Sequence, residues 1–395
     1  MNFEVLYSAA HADFPDSEPL GGGKAVADYL IREWCARNPF ALGVLSPSSL
    51  GLKLSRPLAQ MTELEYARFC REFERAATAE VLKRDPQRCV ILCNDISEGP
   101  DFPALGERGY RIATIFHVDV VEYFTRFYLH GLIRPEMAAR FRWFGVMPDV
   151  LKLVFEKQYQ CVRHSTRIVV PSAPMRDVIL RCYPWCATEK IVVAPWGNIA
   201  VNDSARPAVA PYQLDVSEDE MVIITLSRLS PEKGIERLLV ALPHLAATDK
   251  KVRVLICGGP AYMKGRAYER KLHRLAALIT TTRVEFTGHV TGAQKAALLQ
   301  RADIFVSPSK HESYGLTIAE AVAAQCRVVS HPHYGAEGEI VDCADPKALA
   351  TVLGKLIATG RTAKIAKADS EFPSAAVKMA TLLTAIAELP LVRAE

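Results

Sequence analysis

Lys310-His311-Glu312-Ser313-Tyr314-Gly315-Leu316-Thr317-Ile318-Ala319-Glu320 is the stretch that decides how this chain is read. It sets two carboxylates, Glu312 and Glu320, on either side of a glycine. Upstream, Ala302-Asp303-Ile304-Phe305-Val306-Ser307-Pro308 reads as a short apolar strand closed by a proline turn. Downstream, Ile318 to Gln325 is rich in helix-forming alanine. Glu312 is therefore expected in a strand-to-helix loop, and Glu320 about a turn and a half into the helix.

A helix N-terminus offers unsatisfied N–H groups and roughly half a positive charge, so the backbone at Gly315, Leu316 and Thr317 is a seat for a diphosphate. Ser313 and Tyr314 lead into that seat, and Gly315 allows a close approach of the backbone. One carboxylate on each side of the diphosphate then accepts from hydroxyls, with Glu312 holding a sugar and Glu320 a ribose. Further upstream, Val222-Ile223-Ile224-Thr225-Leu226 is a β-branched run followed by Ser227-Arg228-Leu229-Ser230-Pro231-Glu232-Lys233-Gly234. Arg228 and Lys233 leave one strand-to-helix loop, where ligands of open α/β sheets bind, and two cations there neutralise a diphosphate leaving group. No Asp-x-Asp pair occurs in the chain, so the chemistry is expected to need no metal or other cofactor.

Together with Phe286-Thr287-Gly288-His289-Val290 and Val306-Ser307-Pro308-Ser309, these motifs resemble the donor domain of retaining glycosyltransferases of family four (glycosyl transferases group 1), which have the GT-B fold. The resemblance runs from about residue 190 to 342. It implies that Arg228 and Lys233 are diphosphate-binding cations, that Glu312 contacts the donor sugar and Glu320 the ribose, and that Gly315, Leu316 and Thr317 cradle phosphate. Gly288 and Val290 fall where the family faces the nucleobase, and Gly258-Gly259 in another loop near the donor.

In the N-terminal half, Phe3 to Tyr7 reads as a first strand, and Gly21-Gly22-Gly23-Lys24 opens a helix. By the resemblance, Gly22 and Gly23 approach the donor from the facing domain and Lys24 adds charge toward phosphate or acceptor; three glycines also make an ordinary mobile loop. His117, after the strand Ile112 to Phe116, matches a histidine oriented toward the transferred sugar, or else bonds a neighbouring loop. Asp119 either orients an acceptor hydroxyl or begins the next helix.

Strands near 3–9, 41–45, 88–93, 110–116, 166–171 and 190–194 alternate with helices, and a second series lies near 221–226, 252–257, 283–287, 303–306 and 327–330. The expected fold class is α/β, with two Rossmann-like, doubly wound parallel-sheet domains facing a central cleft. The domains are expected at 1–199 for the acceptor and 221–370 for the nucleotide-sugar donor, joined by a hinge at 200–220. A C-terminal helix within 371–395, spanning Pro373 to Leu389, is expected to cross back to the first domain. After Asp342, Cys343-Ala344-Asp345-Pro346-Lys347 leads straight into a helix where the family has a glycine-containing strand segment, which trims that edge.

A chain of 395 residues with net charge +4 and 23% charged residues fits two globular domains. No run approaches ~20 apolar residues and no signal peptide opens the chain, so a cytoplasmic enzyme is expected. Ten cysteines fit a reduced protein. Cys182 and Cys186 lack the second ligand pair of a zinc site. Between Glu122 and His164, aromatics such as Phe124, Phe127, Tyr128 and Phe155 interleave with Arg126, Arg134, Lys152 and Lys157. That mixture suits an anionic membrane surface presenting a lipid acceptor, a wall for a sugar, or helices packed on the sheet with a solvated basic face; the last is favoured. No nucleic-acid module is present.

The expected activity is hexosyl transfer from a nucleoside diphosphate sugar, uridine by family habit, to the hydroxyl of a saccharide, small molecule or lipid glycan. Retention follows from the resemblance. No carboxylate reads as a covalent nucleophile, so attack on the face of the departing diphosphate is expected. A non-catalytic sugar-nucleotide binding protein and a GT-B phosphorylase or epimerase are the alternatives.

Overall fold

The computed structural model describes residues 3–13, 21–54, 58–140, 149–197, 199, 217, 219–245, 249–261, 264–362, 364 and 374–390. The chain divides into two units, one of residues 1–14, 22–196 and 372–395, the other of 15–21 and 197–371. Most of the expected 200–220 hinge lies outside the described residues.

The first unit runs β1 (Glu4–Ser8), α1 (Gly22–Arg37), β2 (Ala41–Leu45), α2 (Glu63–Val81), β3 (Cys89–Cys93), α3 (Phe102–Gly106), β4 (Arg111–Ile115), α4 (Val120–Phe127), α5 (Pro135–Ala138), α6 (Asp149–His164), β5 (Arg167–Val170), α7 (Ala173–Cys182) and β6 (Ile191–Val193). Its strands form one parallel sheet in the order β2-β1-β3-β4-β5-β6. Every residue of β3 and β4 is buried, which is why both read as nearly unbroken apolar runs: helices cover both faces. Beneath α1, Trp34 meets Tyr7 and Phe40 edge-on at 5.9 and 5.2 Å.

The second unit runs β7 (Met221–Leu226), α8 (Ile235–Ala241), β8 (Val252–Cys257), α9 (Gly265–Ala276), β9 (Arg283–Gly288), α10 (Gly292–Arg301), β10 (Ile304–Ser307), α11 (Leu316–Ala323), β11 (Arg327–Ser330), β12 (Glu339–Ile340) and α12 (Pro346–Thr359). The parallel order is β12-β11-β10-β7-β8-β9, so the chain winds outward from β7 in one direction and then from β10 in the other. Side chains alternate between the two faces with the period of a strand. Ile223, Val254, Ile256, Ile304, Val306 and Val329 pack with α8, α9 and α12. Val222, Ile224, Leu255, Phe305 and Val328 pack with α10 and α11 on the other face.

All eleven expected strands are present; the two-residue, exposed β12 is additional. It pairs with β11 just before Asp345 caps α12 by accepting from Lys347 and Ala348 N–H. The last helix, α13 (Ala375–Glu388), packs within the first unit, where the Trp34 indole donates to Ala376 O at 3.0 Å and Arg111 to Leu389 O at 2.9 Å. In the segment singled out for its aromatics, Phe124 stacks on Tyr128 and meets Phe155 edge-on, while buried Lys157 donates to Gly99 O and Pro100 O. Phe141, Trp143 and Phe144 lie outside the described residues. No described helix is long and apolar enough to cross a membrane.

Two glycines test the packing with opposite signs. Gly258 has φ +147° and a Cβ there would stand 1.8 Å from Ser227 O, whereas nothing lies within 4 Å of a Cβ on Gly354 in α12. Gly258→Ala is expected to cost at least about 2 kcal/mol. Gly354→Ala is expected to gain about 0.5–1 kcal/mol. Denaturant midpoints of the two variants check both.

Candidate functional site

In the second unit the strand order reverses between β7 and β10, and the loops leaving these two strands are neighbours. After β7, Ser227 to Lys233 descends to Gly234, whose φ of +59° starts α8. A Cβ on Gly234 would lie 2.4 Å from Pro308 O, so only glycine lets this turn press against the loop after β10. The two loops are joined by Lys310 N–H donating to Glu232 O at 2.8 Å and by Arg237 donating to Pro308 O at 3.3 Å.

That contact brings together two residues the sequence reading assigned to separate duties. Lys233 Nζ donates to Glu312 Oε1 at 2.7 Å, and Ser309 Oγ donates to the same oxygen at 2.9 Å. Their side chains are 13% and 18% exposed, so the pair is largely withdrawn from water and still reachable. Burial pushes the Glu312 carboxyl upward, but Lys233, His333 and Ser309 together hold it below its ordinary value. Arg228, in the same loop as Lys233, has a guanidinium nitrogen 3.7 Å from Glu232. His333 lies 3.4 Å from Ser307 Oγ at the end of β10.

Gly315, with φ +80°, begins α11, and no side-chain hydrogen bond caps this helix. Leu316 and Thr317 form its first turn, Ser313 is buried, and the Tyr314 hydroxyl accepts from Gly197 N–H at 2.7 Å. Glu320 sits in the second turn with 7% of its side chain exposed. One of its oxygens accepts from Lys295 of α10 at 2.7 Å, while Oε2 is buried with no hydrogen-bond partner among the described residues. A carboxylate oxygen withdrawn from water without a donor is costly, and an incoming O–H or N–H donor would relieve it. At the end of β9, Gly288 O accepts from Gly258 N–H, whereas Val290 is 5% exposed and packs in the core.

In the first unit, Gly22 and Gly23 form the first turn of α1, and the following Lys24 turns to Asp28 one turn along the same helix. His117 follows β4, packs against the Trp196 ring at 6.0 Å and lies 3.3 Å from the Asn94 side-chain oxygen. Asp119 is 1% exposed and acts as the N-cap of α4: Oδ1 accepts from Glu122 N–H at 2.8 Å and Oδ2 from Gln158 at 3.0 Å. Both oxygens are committed, which matches the helix-start alternative for this residue.

Lys295, Ser309, His333 and Asn94 carry these contacts and none was marked from sequence. Lys295 and His333 lie on other elements, at distances along the chain that form no motif. Ser309 stands three residues before Glu312, and that spacing is its one local signal.

Residues 211–364 match the family model described as glycosyl transferases group 1. D-inositol 3-phosphate glycosyltransferase of Salinispora tropica is 32% identical over 230 residues, covering 53% of this chain and 47% of that protein. The chain thus spans about half the length of the curated relatives it matches. Sucrose-phosphate synthase from Thermosynechococcus elongatus superposes with TM-score 0.67 at 18% identity, over 98% of this chain and 96% of that one. Anabaena HepE in complex with UDP and glucose superposes with TM-score 0.57 at 15% identity, over 98% and 95%. These likenesses show the GT-B fold.

The lowered Glu312 carboxyl has a definite sign in acid. Its contribution to stability is present above the ordinary value of 4.5 and is lost as pH falls through the lower folded value. Denaturant unfolding at a series of pH values is expected to show that loss in the native chain. The Glu312→Gln variant, which has no charge to titrate, is expected to lack that component.

Proposed function

We propose, from the match of residues 211–364 to the family model described as glycosyl transferases group 1, that the protein transfers a sugar from a nucleoside diphosphate sugar to an acceptor hydroxyl. The observation that carries this reading is the buried, unpartnered Oε2 of Glu320 on a helix whose start has no side-chain cap. An anion and an adjacent hydroxyl donor, as in a nucleoside diphosphate, answer both needs at once.

In this reading the first turn of α11 receives the diphosphate and Glu320 receives the ribose. Lys295 holds Glu320 in place from behind. Lys233 is shared between Glu312 and the leaving diphosphate: as negative charge develops on the bridging oxygen the ammonium moves its interaction toward it, and Arg228 adds a second cation. Glu312 then accepts from hydroxyls of the sugar. The acceptor attacks the anomeric carbon on the face from which the diphosphate departs, the departing oxygen takes its proton, and configuration is retained. Charge on the leaving group is met by these side chains without a metal. UDP is the nucleotide chosen, because a solved structure of this fold holds it.

The acceptor is a saccharide, small-molecule or lipid-glycan hydroxyl, and the relative named for inositol 3-phosphate transfer supports a polyol. All ten cysteines are unpaired, which accords with a reducing compartment, and the reading places the enzyme in the cytoplasm.

The test is a thermal midpoint with UDP, GDP or ADP in the presence of a chelator. At a hundredfold excess over its dissociation constant, UDP is expected to stabilise the protein by about 2.7 kcal/mol. Glu320→Ala is expected to lose that shift. Absence of a shift with every nucleotide overturns the donor site. Lys233→Ala is expected to lower kcat about 10²–10³-fold at saturating donor. An unchanged kcat removes Lys233 from leaving-group stabilisation.

A further inference from the structure

We infer that Asn94 is a positioning residue that holds His117 with its proton on Nε2 and its lone pair on Nδ1, so that the ring meets a ligand as a hydrogen-bond acceptor. The argument begins with the orientation of the Asn94 amide. Its Nδ2 lies 3.1 Å from Gly23 O, and a carbonyl oxygen can only accept. The amide oxygen therefore faces the other two partners, the Tyr7 hydroxyl at 2.6 Å and His117 Nε2 at 3.3 Å. An amide oxygen also only accepts, so Tyr7 and His117 both donate, and the imidazole proton is on Nε2.

Each member of this network is held independently. Asn94 is fully buried, and its backbone N–H continues the β1–β3 ladder by donating to Ser8 O at 2.9 Å. Tyr7 is fully buried in β1, and burial, with Asp28 and Cys93 adding to it, raises its hydroxyl well above 10, so it stays a donor. A Cβ on Gly23 would lie 3.5 Å from His117 Cδ2 and 3.7 Å from Asn94 Nδ2, so the ring and the amide both border the glycine turn. Burial pushes the His117 imidazole down to about 4; Glu98 and the Asn94 backbone oppose this and His11 adds to it. Glu98 and His11 are themselves paired at 3.0 Å. One buried amide thus orients both features of the first unit that the sequence assigns to the donor, the Gly22-Gly23 turn and the histidine. A lone pair on Nδ1 selects a ligand hydroxyl over a phosphate or carboxylate oxygen; this last step rests on the transferase reading.

The experiment is a long-range 1H–15N correlation of the full chain, with the His117 ring assigned by the signals lost in His117→Gln. At pH 7 the expected pattern is a pyrrole-type Nε2 and a pyridine-type Nδ1, with titration only well below 6.5. A pyrrole-type Nδ1, or a ring that titrates near 6.5, overturns the inference. In Asn94→Ala the tautomer is expected to become mixed, and an unaltered pattern removes the positioning role. Should that variant not fold, Asn94→Asp decides: it keeps an acceptor beside Nε2 and adds a negative charge, so the titration is expected to move upward, and an unmoved titration counts against the contact. These spectra need no turnover. A protein that shows the expected pattern and transfers no sugar refutes the transferase reading and leaves this inference standing.

Discussion

The reversal of strand order between β7 and β10 is the constraint on which the second unit's chemistry depends. On either side of it the chain leaves for opposite faces of the sheet, to α8 in one case and α11 in the other. Only at such a point do two strand-to-helix loops stand side by side without a helix filling the space above them. Gly234 then lets the loops touch, and Lys233 and Glu312, 79 residues apart in sequence, become hydrogen-bonded. The pairing of these charges is thus a result of topology.

The first unit has its own reversal, between β1 and β3, and treats buried polarity differently. There the loops and strand ends contribute groups that satisfy one another. Tyr66 donates to Glu98, His11 pairs with the other Glu98 oxygen, and Asn94 collects Tyr7, Gly23 and His117. The Asn94 contacts determine orientation, and His11 and Glu98 meet as an ion pair at 3.0 Å. In the second unit Lys233 and Glu312 pair across two loops, and Glu320 retains an oxygen without a donor. Buried polar groups that bond each other rigidify a surface, whereas an oxygen without a donor leaves room for a ligand to supply one.

Strand positions were legible because parallel strands covered on both faces write themselves as β-branched runs, as in Met221–Leu226 and Cys89–Cys93. The residues flanking α11 were legible because strand, turn, glycine and helix follow one another within a dozen residues. Lys295 and His333 were not, since each reaches Glu320 or Glu312 from a different element and a contact across elements leaves no mark on local spacing. Side-chain direction was equally hidden. Lys24 turns along its own helix to Asp28, and Val290 turns into the core, neither of which follows from residue type. For Asp119 the sequence held both alternatives, and the N–H of Glu122 three residues on is what claims one of its oxygens.

Helix α13 has a consequence for how the polypeptide is made. It is the last described element of the chain, yet it packs on α1, β3 and β4 at the heart of the first unit and supplies the carbonyl that the buried Trp34 indole requires. A ribosome delivers the first sheet before any of the second, but the surface of that sheet which α13 covers stays open until the second has been made. Domains that are continuous in sequence complete themselves in order of emergence. Here the order is inverted: the second unit is whole first, and the first must wait, with apolar surface exposed, for its closing helix.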